Sequence, residues 1–218
     1  MIHAAIFDMD GLMLDTERLS TLGWFDASKK MGLGLTEEFI LSFKGTPVTY
    51  SSALFKEKFG QDFDYMKARS IRSEYVQNDI KEHGVPVKKG LPELLHALKE
   101  KHIKIALATS TNEKTTREYL TKADLLSFFD VTVFGDMLFE GHPFKGKPHP
   151  DIYLAAVKLL QEEPENCLVL EDSTMGIRSG SAAGCQVVYI PDVAVVKEED
   201  QKKAVYTFSD LSQVISIL

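Results

Sequence analysis

Cysteine is almost absent from this sequence. Among 218 residues only Cys167 and Cys185 occur, and they share no CxxC spacing. That scarcity argues against a secreted disulfide scaffold or a thiolate metal centre. Basic side chains are also the minority, 25 Lys and Arg against 32 Asp and Glu, for a net charge of −7. A nucleic-acid surface or an anionic membrane is therefore not the expected partner, and any anion must be met by positive charge gathered locally. No apolar run approaches the roughly 20 residues of a membrane span, and no charged leader region precedes the first apolar stretch. A reduced, cytoplasmic protein with no membrane partner is expected. Internal repeats and low-complexity tracts are missing too, so the chain is not a repeat array. What remains is ordinary globular composition, 44% hydrophobic and 26% charged, with length for one domain carrying a large insertion or two modest domains.

The most informative stretch is His3-Ala4-Ala5-Ile6-Phe7-Asp8-Met9-Asp10-Gly11. An apolar run of strand length ends in two carboxylates one residue apart, then a glycine. Such a strand end is where open parallel sheets place ligands. Two close acids repel unless a cation or a shared proton relieves them. Taken alone, an acidic turn capping a strand is the simpler reading, so the rest of the chain decides.

After that strand the pattern turns helical. Leu19, Leu22, Trp24, Phe25, Ala27 and Met31 recur at helical spacing until Gly32 and Gly34 end the helix. Thr36 ahead of Glu37 and Glu38 starts a second helix, since a hydroxyl caps free amides and acids suit a helix N-terminus. Thr46-Pro47 starts a third, with proline at the first helical position, and residues 65–82 form a fourth. Beyond Val85 strands and helices alternate: helix 93–101, strand 103–109, a helix from Ser110 to about 123 (Ser110 and Glu113 have capping-box spacing), strand 131–136, a long loop 137–148, helix 150–161, strand 167–172, helix 174–183, strand 186–190, a short strand at 207–208 and a helix 210–217. Alternation implies a parallel sheet with right-handed crossovers. The fold class expected is α/β, a Rossmann-like parallel sheet core from residues 1–15 and 85–218. An all-helical cap, residues 16–84, is inserted after the first strand.

Strand ends carry the candidate chemistry. Asp8/Asp10, Thr109/Ser110 and Glu171/Asp172 each follow a strand, and parallel strands bring their C-terminal ends to one edge. Carboxylates from two strands make a hard, oxygen-only site suited to Mg2+ rather than zinc. Thr109 and Ser110, at a strand-to-helix junction, offer free amides and hydroxyls that hold a phosphate or simply cap the helix. Lys147, in Gly146-Lys147-Pro148, lies in a loop too polar to be core and is either solvated, as most such lysines are, or the cation an acidic site needs to accept a phosphate dianion. The segment GHPFKGK from Gly141 to Lys147 imitates a nucleotide-binding P-loop, but Pro148 replaces the magnesium-binding hydroxyl and no strand directly precedes it; that reading is rejected. His142 and His149 are expected at the surface, since hard oxygen sites do not call for imidazole.

FDMDG at Asp8, LATS around Thr109, GKPHPDIY at Lys147 and LEDS around Asp172 together resemble, in order, the four motifs of the haloacid dehalogenase superfamily of phosphohydrolases. The helical insertion is similar to the cap of the superfamily's β-phosphoglucomutase-like branch. The resemblance implies Asp8 as the nucleophile that forms an aspartyl-phosphate and Asp10 as the acid, then base, for the leaving oxygen and water. It places Gly11, Thr109, Ser110 and Lys147 around the phosphoryl group. It implies magnesium held by Asp8, the Asp10 carbonyl and Asp172, with Glu171 acting through water. Lys44, Gly45 and Thr46, in the matching cap loop, would select the substrate or serve as a helix–helix turn.

Mutase members of that branch carry a catalytic histidine and a phosphate-gripping arginine, and this sequence aligns Ser20 and Val48 with them. A phosphatase releasing phosphate to water is therefore the expectation, and a β-phosphoglucomutase-type mutase the alternative. Asp15-Thr16-Glu17-Arg18-Leu19 and residues 167–192 look similar to pseudouridine-5′-phosphatase-type members. The expected partner is thus a small phosphorylated metabolite, a sugar phosphate or nucleotide monophosphate, met by a monomer or weak homodimer. The loop before Lys147 is longer than the common pattern and makes Lys145 a rival. A receiver-type signalling module would be shorter and lack the insertion, and a dehalogenase would need neither Asp10 nor the Glu171/Asp172 pair.

Overall fold

The structure, a computed structural model, describes residues 1–44, 46, 48–139 and 141–218, with Phe139 described by its backbone. Gly45 and the expected helix start at Pro47 lie outside the described residues. Strand β1, Ala4–Phe7, is buried throughout, as a central parallel strand must be when both faces are covered. Helices α1 (Thr16–Met31), α2 (Glu37–Ser42), α3 (Val48–Phe59) and α4 (Tyr65–His83) follow. Then come α5 (Leu91–Glu100), β2 (Lys104–Thr109), α6 (Glu113–Lys122), β3 (Val131–Phe134), β4 (Leu138–Phe139), β5 (His142–Pro143) and α7 (Asp151–Leu160). The chain ends with β6 (Cys167–Glu171), α8 (Thr174–Ala182), β7 (Gln186–Tyr189), α9 (Glu198–Gln201), β8 (Tyr206–Thr207) and a 3-10 helix, Leu211–Ile217.

Packing divides the chain into two units, Met1–Leu14 with Val87–Leu218, and Asp15–Pro86. The first holds a six-stranded parallel sheet in the order β3-β2-β1-β6-β7-β8. The chain runs outward through β2 and β3 on one side of β1, then returns to β6 on the other. The order thus reverses between β1 and β6, the crevice where such sheets place ligands. Pleat alternation splits β1 between two faces. Ala4 and Ile6 join Ala106, Val169, Tyr153 and Ile177 in one apolar cluster, while Phe7 packs edge-on against Phe129 at 6.4 Å.

The second unit is held by aromatic packing. Trp24, Phe43, Phe55 and Tyr65 are buried in its core, and Phe55 alone stacks or abuts Trp24, Phe39, Phe43, Phe59, Phe63 and Tyr65. Thr36 caps α2, its hydroxyl accepting from Phe39 N at 3.2 Å, as its position ahead of two acids leads one to expect.

Local details differ from the sequence reading where a neighbour outcompetes the expected residue. Asn112, not Ser110, caps α6, its side chain accepting from Thr115 N at 3.0 Å, and Asp136 accepts from Glu113 N at 2.9 Å. The capping-box spacing at Ser110 therefore misplaces the cap by two residues. The expected loop 137–148 contains the antiparallel pair β4 and β5. The C-terminal helix is 3-10, with Asp210 accepting from Ser212 N. No described helix is long and apolar enough to cross a membrane.

Candidate active site

Phe7 pairs with Leu107 on β2 and Leu170 on β6, so Asp8, one residue further, leaves the sheet at the edge where β2 and β6 also end. Asp8 N still donates to Leu170 O at 3.2 Å, after which the chain folds back, with Met13 N and Leu14 N both donating to Met9 O at 3.0 Å. Gly11 makes that turn with φ of 89°. A Cβ there would stand 2.3 Å from Asp172 Oδ2 and 3.0 Å from Asp192 Oδ2. Glycine is thus required both by conformation and by the closeness of two carboxylates.

Asp8, Glu171 and Asp172 are all buried, and one carboxylate oxygen from each lies within 4.8 Å of the others. Lys147 reaches this group from the segment ahead of α7. Its Nζ donates to Asp8 Oδ1 and Glu171 Oε1, each at 2.6 Å, and lies 2.9 Å from the Tyr153 hydroxyl. Lys145 does not compete, being exposed and contributing its backbone N to Asp151 at 3.0 Å. Glu171 is fully engaged. Oε1 also accepts from Tyr153 OH at 2.6 Å, while Oε2 accepts from Asp172 N, Ser173 N and Ser173 Oγ at 3.0–3.2 Å. A Cβ on Gly176 would fall 1.8 Å from that carboxylate, so α8 can begin this close only with glycine there.

Burial pushes the Asp8 carboxyl up to about 7 against the pull of Lys147, and Glu171 and Asp10 push the same way. Burial also works to lower Lys147, but Asp8 and Glu171 overcome it and hold the ammonium above its ordinary range. Burial, then Glu171, raises the Tyr153 phenol well above its usual value, so it stays a protonated donor. Three buried acids against one ammonium leave an excess of negative charge, which a further cation or a proton on Asp8 relieves. The donors are all carboxylate oxygens, which fits a hard divalent ion such as magnesium. Its direct ligands here would be Asp8 and Asp172, because Glu171 has no acceptor capacity left.

Of the other expected residues, Thr109 is buried and its Oγ1 accepts from Thr111 N at 3.1 Å, while Ser110 is exposed. Thr111 Oγ1 donates to Asp10 Oδ2 at 2.7 Å. His142 and His149 are exposed. Within the helical unit, Lys44 pairs with Glu17 at 2.6 Å. Thr46 Oγ1 donates to Phe43 O at 2.6 Å and lies 3.1 Å from Ser51 Oγ, so its hydroxyl serves the turn in which it lies, whereas Lys44 ties that turn to α1. Sequence reasoning missed Tyr153, Thr111, Ser173 and Asp192. Tyr153 stands inside the GKPHPDIY motif, six residues beyond Lys147, and that position was its only signal.

A family model for haloacid dehalogenase-like hydrolases matches residues 5–190. Over 188 residues the chain is 32% identical to the phosphorylated carbohydrates phosphatase of Thermotoga maritima, covering 86% of this chain and 84% of that protein. It is 31% identical over 202 residues to a "probable pseudouridine-5′-phosphatase" of Saccharomyces cerevisiae, covering 87% and 83%. Among solved structures, the β-phosphoglucomutase of Clostridium difficile superposes with a TM-score of 0.75 at 26% identity, covering 98% of this chain and 93% of the other.

Proposed function

The chain belongs to the haloacid dehalogenase-like hydrolase family, and from that premise we propose that it is a magnesium-dependent phosphatase of small phosphomonoesters working through an aspartyl-phosphate. The observation that carries the reading is the Lys147 ammonium bridging Asp8 and Glu171 inside the buried acidic group. Asp8, Asp172 and the Asp10 carbonyl would hold the metal, which would supply charge neutralisation to the phosphoryl oxygens.

The Asp8 carboxylate, held by Lys147 at Oδ1, attacks phosphorus. The bond from phosphorus to the leaving oxygen breaks, and that oxygen takes a proton from Asp10, oriented by Thr111. Water next attacks the acyl phosphate and gives its proton to Asp10, so inorganic phosphate leaves and the Asp8 carboxylate returns. One difficult displacement becomes two easier ones, with positioning and charge neutralisation as the main contributions. The Thr109 hydroxyl and the backbone amide of Ser110 are assigned to the phosphoryl oxygens, while Gly11, whose own amide donates to Leu14 O at 2.9 Å, shapes the turn beside them.

A phosphorylated carbohydrate or a nucleotide monophosphate is the substrate class, the first in keeping with the Thermotoga relative and the second with the yeast one. Residues 16–84 are assigned the part of a cap that selects the leaving group through Lys44, Gly45 and Thr46; an anion binding Lys44 has to replace Glu17. The enzyme is taken as cytoplasmic, a monomer or weak homodimer. Ser20 and Val48, where mutases carry histidine and arginine, argue against isomerisation. The test is a phosphomonoester panel with magnesium, run beside conversion of hexose-1-phosphate to hexose-6-phosphate. Phosphate release that Asp8→Asn abolishes is the expected result; isomerisation without release overturns the phosphatase reading, and turnover surviving Asp8→Asn overturns the mechanism.

A further inference from the structure

Beside the acidic edge stands a further carboxylate, Asp192, that the proposed mechanism does not use. Asp192 follows β7 by three residues, and its side chain is only 6% exposed. Lys88 pairs with Oδ1. Oδ2 is buried with no hydrogen-bond partner in the structure, yet it is aimed at Gly11, the same backbone position that Asp172 Oδ2 crowds. A buried carboxylate oxygen left without a donor is unfavourable, so its retention there calls for a ligand. Ion pairing with Lys88 explains one oxygen and leaves the other facing Asp172, a like charge.

We propose that Asp192 is a further residue of the divalent-cation site, its Oδ2 accepting a hydrogen bond from the hydration shell of the ion held by Asp8 and Asp172, with Lys88 fixing its direction. Magnesium keeps several of its waters when protein-bound, and carboxylates that orient such a shell typically change metal affinity by about 10- to 100-fold. The proposal rests on the reading of the acidic edge as a cation site. It assigns Asp192 a role that no spacing from the four motifs points to.

Calorimetric titration of the full-length protein with magnesium chloride alone tests it. Asp192→Asn is expected to weaken magnesium binding about tenfold. The double variant Lys88→Met/Asp192→Asn is expected to do the same. It removes one charge of each sign, so the net charge is unchanged and a loss of affinity cannot come from bulk electrostatics. It also removes both members of the Lys88–Asp192 pair together, which protects the measurement if the single variant melts early. Undiminished affinity in both, with Asp172→Asn still weakening binding, makes the Lys88–Asp192 pair merely structural and overturns the proposal alone. Undiminished affinity in Asp172→Asn as well overturns the cation reading beneath it.

Discussion

Lys147 shows how much a single side chain contributes as the cation shared by two buried acids, Asp8 and Glu171. Its ammonium is shared by Asp8 and Glu171 at equal distances, so Lys147→Ala leaves two buried carboxylates facing each other. Losing one partner of a buried pair costs about 3–5 kcal/mol, and thermal melting of this variant is expected to show a loss of that order together with abolished turnover. Tyr153→Phe is a gentler probe. It removes one donor from Glu171 and one neighbour from Lys147 while keeping the ring packed in the core. The expected outcome is a fall in kcat of about tenfold, or ~1.4 kcal/mol in barrier, with KM nearly unchanged; a loss of melting temperature with kcat intact would make Tyr153 structural only. The acids and the lysine were legible from sequence because few residue types perform their chemistry. Tyr153, Thr111 and Ser173 were not, because ordinary core and capping residues acquire a role only from the partner the fold gives them.

At the scale of elements, the junctions after strands decide the geometry, and most of their caps act independently of the site. The α6 N-terminus is held by Asn112 and Asp136, and Asn112→Ala is expected to cost about 1 kcal/mol in denaturant unfolding. Asp210, at the start of the C-terminal 3-10 helix, has its carboxyl held down at about 2 by the Lys89 ammonium and Ser212. A carboxylate whose folded value lies below its unfolded one of roughly 3.9 adds stability that is complete above the unfolded value. That stability is lost as pH falls toward 2. Asp210→Asn should therefore flatten the pH dependence of unfolding between about 4 and 2 and leave its slope near neutrality unchanged, as acid titration of both proteins followed by circular dichroism would show. Strand positions were readable because buried parallel strands are continuous apolar runs. Helix starts were less so, since several Ser, Thr and Asn candidates lie within a few residues and only the fold selects among them.

At the scale of the molecule, each unit has apolar packing of its own. Phe55 is the hub of the helical unit, wholly buried and in contact with six aromatic rings. Phe55→Ala is expected to cost about 3–5 kcal/mol, comparable to much of the stability of a small domain. Hydrogen exchange should show the amides of Asp15–Pro86 losing protection ahead of those in β1, β2 and β6; equal loss in both units would mean one cooperative core. The sequence by itself determined the alternation of strands and helices, the all-helical insertion and the residue types at the strand ends, because apolar periodicity and carboxylate chemistry are local properties of the chain. Only the tertiary structure decided that Glu171 is consumed by Lys147, Tyr153 and Ser173, that Lys147 rather than Lys145 reaches Asp8, and that Asp192 turns toward Gly11. Those facts depend on which strands are neighbours and how far α7 and α8 approach them. The physical reason is that hydrogen-bond partners 18, 24 or 139 residues away leave no periodic trace in a sequence until the sheet brings them to one edge.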